Sequence, residues 1–288
     1  MKPPPFAYHD PETAEEALAL LAALPGAKLL AGGQSLMPML NMRYVQPDAL
    51  IDLRRVRGLD AVETHDGHLR IGATVRQRAL ERSAEVARHF PLMREALRHV
   101  GHLQTRNRGT IGGSICHLDP AAELPLVALA LDGEAEILGR AGTRMLPMAE
   151  LPSFYMTPAI EPDELLTAVH LPFAQGRRGA AFEEVARRHG DFAIVAVAVV
   201  LDADEVGRIA RARIAVGGAG PVPQRARAAE AALEGRAARA DALAVPDEIE
   251  EIEAAGDAYC TEAYRRSLAR TLCARALSRA AAALETAR

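Results

Sequence analysis

The sequence predicts a fold that mixes α-helices and β-strands, and three observations indicate it. A short apolar run at 27–31 passes through two glycines into a helical segment and then a strand at 48–53, which is the pattern of a small β-α-β unit. A second glycine-rich stretch occupies 104–125, and strand-like segments followed by helices occupy the chain after Pro172. The 288 residues, 49% of them hydrophobic, suffice for one large domain or two of ordinary size.

The N-terminal elements follow from local signals. Thr13 and Glu16 form a capping box, and apolar residues at helical spacing continue to Pro25-Gly26, which ends the helix. After the strand at 27–31, Ser35 is a candidate N-cap for a short helix.

The middle of the chain alternates between turns and helices. Asp66-Gly67 suits the tight turn of a hairpin within 59–73. One helix is predicted over 92–102. Another is predicted to be capped by Asp119 and to end near Leu131.

The last part of the chain has a different pattern of predicted elements. The apolar run at 193–201 indicates a buried central strand, one of three joined by short connections. An apolar stripe predicts a final helix from about Thr261 to Leu284. The segment 175–178 is the candidate boundary between two domains.

Composition and charge exclude several classes of function. A formal net charge of -4 and the absence of Trp argue against binding a nucleic-acid backbone or its bases. The longest apolar run is too short to span a membrane and the N-terminus lacks a secretory signal, so we expect a cytoplasmic protein with no transmembrane segment. The cysteines are odd in number and widely spaced, which fits neither a disulfide framework nor a metal site: Cys116, Cys260 and Cys273.

The two glycine stretches suit a ligand that carries phosphate. A strand-to-helix junction such as Gly32-Gly33 exposes N–H donors that favour an anion. Ser35 could cap the helix or contact a phosphate, and a purely structural turn is the alternative. The same chemistry recurs at Thr110, Gly112, Gly113 and Ser114. The repetition favours a ligand with two phosphates, although neither stretch matches a P-loop or Rossmann fingerprint.

Four motifs together resemble one protein family. They are AGGQSLMPMLNMR at 31–43, RNRGTIGGSICHLDPAAELP at 106–125, ARRHGDFAIV at 186–195 and AYRRSLARTLCARAL at 263–277. They resemble the flavoprotein, or medium, subunit of molybdenum hydroxylases of the carbon monoxide dehydrogenase and xanthine dehydrogenase type. The resemblance covers nearly the whole chain.

The resemblance implies an α+β fold with two domains. Residues 1–176 would form an FAD-binding domain, with a small β-α-β subdomain at about 1–55 and a larger mixed α/β subdomain at 56–176. Residues 177–288 would form a C-terminal flavoprotein domain with a three-stranded antiparallel sheet and helices.

The resemblance also implies which residues contact FAD. In the family both glycine segments hold the FAD pyrophosphate, and neighbouring positions line the cofactor. By motif position, the implied cofactor-binding residues are Lys28, Leu29, Ala31, Gly32, Gly33, Gln34, Ser35, Leu36, Thr110, Gly112, Gly113, Ser114, His117, Glu123, Leu166, Asp191 and Phe192.

Some of these residues also have ordinary structural explanations. Lys28 is equally well a surface lysine, and Glu123 would favour the N-terminal turn of a helix. Phe192 matches a family loop that places a side chain against the isoalloxazine ring, whereas an apolar residue before a strand usually packs inward.

The function implied by the resemblance is electron transfer. Substrate would be oxidised on a molybdenum large subunit with molybdopterin, and an iron–sulfur small subunit with a [2Fe–2S] cluster would pass the electrons to this chain. The chain would pass them on to an external acceptor. The complex would be a dimer of heterotrimers. Because FAD supplies the chemistry, no catalytic residue is predicted. Two alternatives are a stand-alone FAD-dependent oxidoreductase and a scaffold subunit that has lost flavin.

Overall fold

A small parallel sheet begins the chain. The structure, a computed structural model, describes residues 1–240 and 243–286; residues 241, 242, 287 and 288, which belong to the predicted C-terminal domain, lie outside the described part. The first elements are β1 (Ala7–His9), α1 (Ala14–Ala23), β2 (Ala27–Leu30), α2 (Leu36–Asn41) and β3 (Ala49–Asp52). The strands pair in the order β1-β3-β2, and both pairs are parallel.

Two local predictions are confirmed in this part. The Thr13 hydroxyl accepts a hydrogen bond from the Glu16 N–H at 3.2 Å, so it caps α1. The predicted β-α-β unit is β2-α2-β3. Strand β1 was not predicted, because three residues at the edge of a sheet leave almost no periodic pattern.

A five-stranded antiparallel sheet follows. The strands of this part are β4 (Val62–His65), β5 (His68–Gly72), β6 (Glu134–Gly139), β7 (Gly142–Pro147), β8 (Pro152–Phe154), β9 (Thr157–Pro158) and β10 (Leu165–Pro172). The larger sheet has the order β4-β5-β10-β6-β7, and β8 pairs with β9 separately. The hairpin β4-β5 turns at Asp66-Gly67 as predicted, with a positive φ of 84° at Gly67.

Short helices accompany this sheet, and their bounds correct two predictions. They are α3 (Gln77–Arg82), α4 (Ala84–His89), α5 (Pro91–Ala96), α6 (Leu103–Arg108), α7 (Ile111–His117) and α8 (Glu123–Ala130). The helix predicted over 92–102 covers only Pro91–Ala96; turns follow it, and Gly101, with a positive φ of 44°, lies in the connection to α6. Asp119 does not cap α8: its carboxylate accepts from the Ala121 N–H in a turn that precedes the helix.

The C-terminal part is a second antiparallel sheet with a long helix. Its elements are β11 (Arg177–Ala186), β12 (Ala193–Ala203), β13 (Ile209–Gly217), β14 (Gln224–Arg225), α9 (Arg227–Leu233) and α10 (Glu262–Thr286). The three predicted strands pair in the order β11-β12-β13, and the two-residue β14 adds a fourth. The final helix is confirmed, two residues longer than predicted at its C-terminal end.

One hydrophobic core joins the part that contains the five-stranded sheet to the C-terminal part. All eight residues of α8 are buried, and the same apolar cluster contains Leu126 of α8 and Ala198 and Val200 of β12. The buried Arg213 of β13 bonds Asp132, which follows α8, at 3.1 Å. The boundary at 176 falls between β10 and β11, but the division into separate domains stays a prediction.

No helix in the described residues combines the length and the apolar character that crossing a membrane requires.

Candidate cofactor site between two glycine segments

The two glycine stretches lie against each other in the fold. We call residues 31–36 the first glycine segment and residues 110–114 the second. A Cβ placed on Gly32 would lie 2.4 Å from the carbonyl oxygen of Arg108 and 2.8 Å from the Cα of Gly109. A Cβ placed on Gly113 would lie 3.7 Å from the Cβ of Ala31. Backbone therefore packs on backbone here, which only glycine at position 32 permits.

The first glycine segment presents open hydrogen-bond donors. Within the described residues, the N–H groups of residues 32–35 have no protein acceptor. Gly33 has a positive φ of 72°, a conformation that favours glycine. Ser35 occupies the N-cap position of α2, but its hydroxyl makes no capping hydrogen bond. Unsatisfied donors at one turn are the arrangement expected around an anion.

The second glycine segment differs from the prediction that it repeats the open donors of the first, because residues 111–114 lie in helix α7. Thr110 caps α7, and its hydroxyl accepts from the Gly113 N–H at 3.0 Å. The Gly112 N–H donates to the Ala73 carbonyl at 2.9 Å. The prediction of bare amides at this segment is therefore wrong, since the protein already satisfies them. The Ser114 hydroxyl has no protein partner within the described residues, so it is the group left to contact a ligand.

Gly112 has a packing role that the sequence did not reveal. A Cβ at this position would lie 2.6 Å from the Cβ of Ala73 and 2.7 Å from its carbonyl oxygen. The missing side chain lets α7 approach the end of β5 closely. This contact fixes the second glycine segment against the end of β5.

Two arginines that were not predicted stand at the junction of the segments. The Arg76 guanidinium donates to the Arg108 carbonyl, the oxygen nearest to Gly32. Burial lowers the pKa of Arg76, and the positive charge of Arg108 lowers it further. Neither side chain forms an ion pair within the described residues. Arg108 stands directly before Gly109-Thr110, which is the signal that could have identified it, whereas nothing around Arg76 in the sequence marks it.

Helix α6 links the glycine segments to the loop at 189–192. A Cβ on Gly190, whose φ is 78°, would lie 2.6 Å from the ring of His102 and 3.0 Å from the Gly101 carbonyl oxygen. These residues precede α6, and Gly109 follows it. Six residues of helix span about 9 Å. The loop and the glycine segments therefore stand at opposite ends of one short helix.

Phe192 is 71% exposed in this loop, so the alternative that it packs into the core is wrong. Its N–H donates to the Asp191 carboxylate at 3.0 Å. The other Asp191 oxygen lies 3.2 Å from the guanidinium of Arg187. The loop therefore holds an aromatic ring in solvent beside a carboxylate that is paired with an arginine.

His117 and Glu123 lie in environments that suppress charge. Burial lowers the pKa of His117, although the nearby Asp119 carboxylate opposes the shift. Glu123 is 8% exposed in the first turn of α8, and burial raises its pKa to about 8. At neutral pH both side chains are therefore largely uncharged hydrogen-bonding groups.

The remaining predicted residues have unremarkable surroundings. The Gln34 amide donates to the Gly32 carbonyl at 3.3 Å. Leu166 is 3% exposed in β10 and belongs to the core. Lys28 is exposed on β2, and Leu29 and Leu36 are half-buried. Their roles in binding a cofactor stay predictions.

The residues present fit a diphosphate joined to a flat ring system. Open amides, two free hydroxyls and the Arg76 guanidinium lie at the glycine segments, and the charge of Arg108 is close enough to lower the pKa of Arg76. Each of these groups binds phosphate oxygen. At the far end of α6, the exposed ring of Phe192 offers a surface for stacking.

Comparison with known proteins gives consistent results over nearly the whole chain. Residues 4–174 match the family described as FAD binding domain in molybdopterin dehydrogenase, and residues 180–280 match the CO dehydrogenase flavoprotein C-terminal domain. The chain is 40% identical to the 6-hydroxypseudooxynicotine dehydrogenase complex subunit alpha of Paenarthrobacter nicotinovorans, over 97% of this chain and 96% of that one. It is 37% identical to caffeine dehydrogenase subunit beta of Pseudomonas sp. (strain CBB1), over 98% and 96%.

A solved structure shows the same likeness in three dimensions. The carbon monoxide dehydrogenase of Hydrogenophaga pseudoflava, in a form that lacks the Mo-pyranopterin moiety of the molybdenum cofactor, contains a chain that matches with a TM-score of 0.92 and 35% identity. The match covers 98% of this chain and 99% of that chain.

Proposed function

The chain belongs to the family of FAD-binding medium subunits of molybdenum hydroxylases, and from this premise we propose how it holds FAD and with which partners it works. The motif resemblance and the α+β fold are confirmed. The chain is an oxidoreductase subunit of the carbon monoxide dehydrogenase and xanthine dehydrogenase type.

The junction of the two glycine segments is the observation that carries the proposal. The amides of residues 32–35 would donate to the FAD diphosphate, with the hydroxyls of Ser35 and Ser114 beside them. Arg76 and Arg108 would neutralise its charge. The amides of Gly112 and Gly113 are satisfied within the protein, so these glycines would contribute by allowing close approach.

The ring of FAD would lie at the other end of α6. Phe192 would pack against it, and Asp191 would hold the backbone of the loop in place through the Phe192 N–H. Bound FAD supplies the redox chemistry, because flavin exchanges electrons both singly and in pairs. The chain's own residues bind and orient the cofactor, and no catalytic residue is assigned.

The partners follow from the family. Relatives are named as subunits or chains of larger complexes, among them a medium chain of carbon monoxide dehydrogenase. We propose that this chain works in a dimer of heterotrimers in the cytoplasm. There a molybdenum large subunit would oxidise the substrate, and an iron–sulfur small subunit would deliver the electrons to FAD.

The purified chain tests this proposal against its two alternatives. We expect the chain, incubated with FAD and freed of excess cofactor, to show flavin absorption. Without its partner subunits, we expect it to reduce no dye, whichever electron donor is supplied. Yellow protein that turns over alone would instead support a stand-alone FAD-dependent oxidoreductase. Colourless protein, even with added FAD and partner subunits, would support a scaffold that has lost flavin.

Arg108 should contribute to FAD affinity through charge. Arg108→Gln removes a guanidinium near the diphosphate, and charge-assisted hydrogen bonds to phosphate contribute about 1.5–3 kcal/mol. We expect the Kd for FAD, measured by quenching of flavin fluorescence, to rise about tenfold or more. Arg275→Gln is the matched control, since Arg275 is exposed on α10. If the two variants bind FAD with equal affinity, Arg108 does not contribute to the FAD site.

A further inference from the structure

A second charged site lies between two of the short helices. Helices α3 and α5 border a cavity of about 370 Å³. Its lining residues are Arg78, Glu81, Arg82, Arg94 and Arg98. We call this cavity the arginine cleft. None of its lining residues belongs to the proposed FAD site.

Three arginines of the cleft have no carboxylate partner within the described residues. Arg82, Arg94 and Arg98 are exposed, and within the described residues none of them forms an ion pair or a side-chain hydrogen bond. The whole chain has a formal net charge of -4, so four arginines around one cavity are a local concentration. Like charges held together raise the free energy of the empty site, and a bound anion would relieve this.

The one carboxylate of the cleft is already occupied. Glu81 bonds Arg78 at 2.8 Å and the buried Arg106 at 3.1 Å. Burial opposes ionisation of Glu81, but these two arginines lower its pKa overall. Arg106 also donates to the Val100 carbonyl at 2.9 Å, which fixes its position. The cleft therefore has a fixed base and three free guanidiniums at its rim.

The lining indicates the chemistry of the ligand. Guanidinium groups bind phosphate oxygens through two parallel hydrogen bonds, and several of them suit a compact anion with more than one negative charge. Among the residues that the structure describes, no aromatic or aliphatic side chain lines the cleft for a nucleobase to stack on. Its volume is at the lower end of the range for small-molecule sites.

We propose that the arginine cleft is a binding site for a condensed phosphate group, either free or as the charged end of a larger metabolite. The site acts in addition to the FAD site and is independent of it. An acidic segment of a partner protein could satisfy the same charges, but the concave shape and purely cationic rim favour a small anion.

Calorimetry on the full chain saturated with FAD tests the proposal. Pyrophosphate, tripolyphosphate and ADP are titrated at constant ionic strength, so that screening of charges by salt is the same in every titration. We expect saturable binding, weakened at least about tenfold in the double variant Arg94→Gln/Arg98→Gln. Arg236→Gln/Arg275→Gln removes the same charge from exposed arginines elsewhere and should bind as the parent does. Flavin absorption is followed in every variant, which separates this test from the assignment of the FAD site.

Pyrophosphate or tripolyphosphate binding at least as tightly as ADP supports a free condensed phosphate, and tighter binding of ADP supports the charged end of a larger metabolite. Lack of saturable binding by all three probes would overturn the proposal, as would equal binding by both double variants. A hexaglutamate peptide that binds through Arg94 and Arg98, while the phosphates do not, would assign the cleft to a protein partner and also overturn it.

Discussion

Gly32→Ala is expected to weaken FAD binding about tenfold to a hundredfold. The added Cβ would lie 2.4 Å from the Arg108 carbonyl oxygen, which is backbone and cannot rotate away. Overpacking of this kind typically costs about 1–3 kcal/mol, and here it separates the two segments that would share the diphosphate. Gly32→Val should have a larger effect, because two further methyl groups enter the same contact. The measurement is the Kd for FAD by fluorescence quenching.

Gly176→Ala is the control for this substitution. No atom of residues 1–240 or 243–286 lies within 4 Å of a Cβ placed there, and its φ is not positive. We expect unchanged FAD affinity and an unchanged Tm. Circular dichroism on Gly32→Ala separates lost binding from lost folding. If a folded Gly32→Ala chain keeps the parent's affinity, the close contact of the segments is not needed for FAD.

The structure changes the expected importance of the other glycines. The glycines of the second segment are not equivalent to Gly32. A Cβ on Gly113, however, meets the Thr110 hydroxyl at 2.8 Å and no backbone atom beyond its own helix. Gly112 is the tighter position in that segment, since its Cβ would meet the Cα of Ala73 at 2.8 Å.

Local signals allowed the first glycine segment to be predicted from the sequence. The apolar run before Gly32 and the Ser35 position mark a strand and the start of a helix, and these elements lie where they were predicted. The hairpin at Asp66-Gly67 was predictable for the same reason. In each case the residues that decide the conformation are neighbours in the chain.

The second segment could not be predicted in this way because distant contacts decide it. Two adjacent glycines disfavour a helix, yet α7 includes both. The Thr110 cap and the packing of Gly112 on Ala73 offset that preference. The Arg76–Arg108 contact and the exposure of Phe192 likewise depend on segments far apart in sequence. Periodicity along the chain contains no information on such contacts.

The arginine cleft shows the same limit. Its cationic rim combines α3 and α5, which are separate helices in the structure. In the sequence these arginines are spaced like the solvated face of ordinary helices. Their convergence around one cavity becomes visible only in the packed fold.

Glu123 is expected to make the stability of the chain depend on pH in an unusual direction. Burial raises its pKa from 4.5 to about 8, and the charges of Glu184 and Asp119 add to this, while Arg106 opposes it. Between these two values the unfolded chain has lost the proton and the folded chain keeps it. The stability associated with the neutral carboxyl is therefore complete below about pH 4.5 and is lost as the pH rises toward 8.

Glu123→Gln tests this directly, because it keeps the shape of the side chain and cannot ionise. At pH 5 the free energy of unfolding in urea should nearly equal that of the parent chain. At pH 9 the variant should be more stable by a difference on the order of 4 kcal/mol, which follows from about 1.4 kcal/mol per pKa unit. Glu150→Gln replaces an exposed glutamate and should follow the parent at both pH values.

The same experiment bears on how Glu123 meets a cofactor. A carboxyl that keeps its proton at neutral pH donates a hydrogen bond, whereas a carboxylate only accepts one. Glu123→Gln preserves a donor, so it should keep FAD affinity while removing the pH dependence; Glu123→Leu removes the donor and should weaken any direct contact. If the free energies of unfolding of the parent and of Glu123→Gln depend on pH in the same way, Glu123 ionises normally in the folded chain. It would then not act as a hydrogen-bond donor at neutral pH.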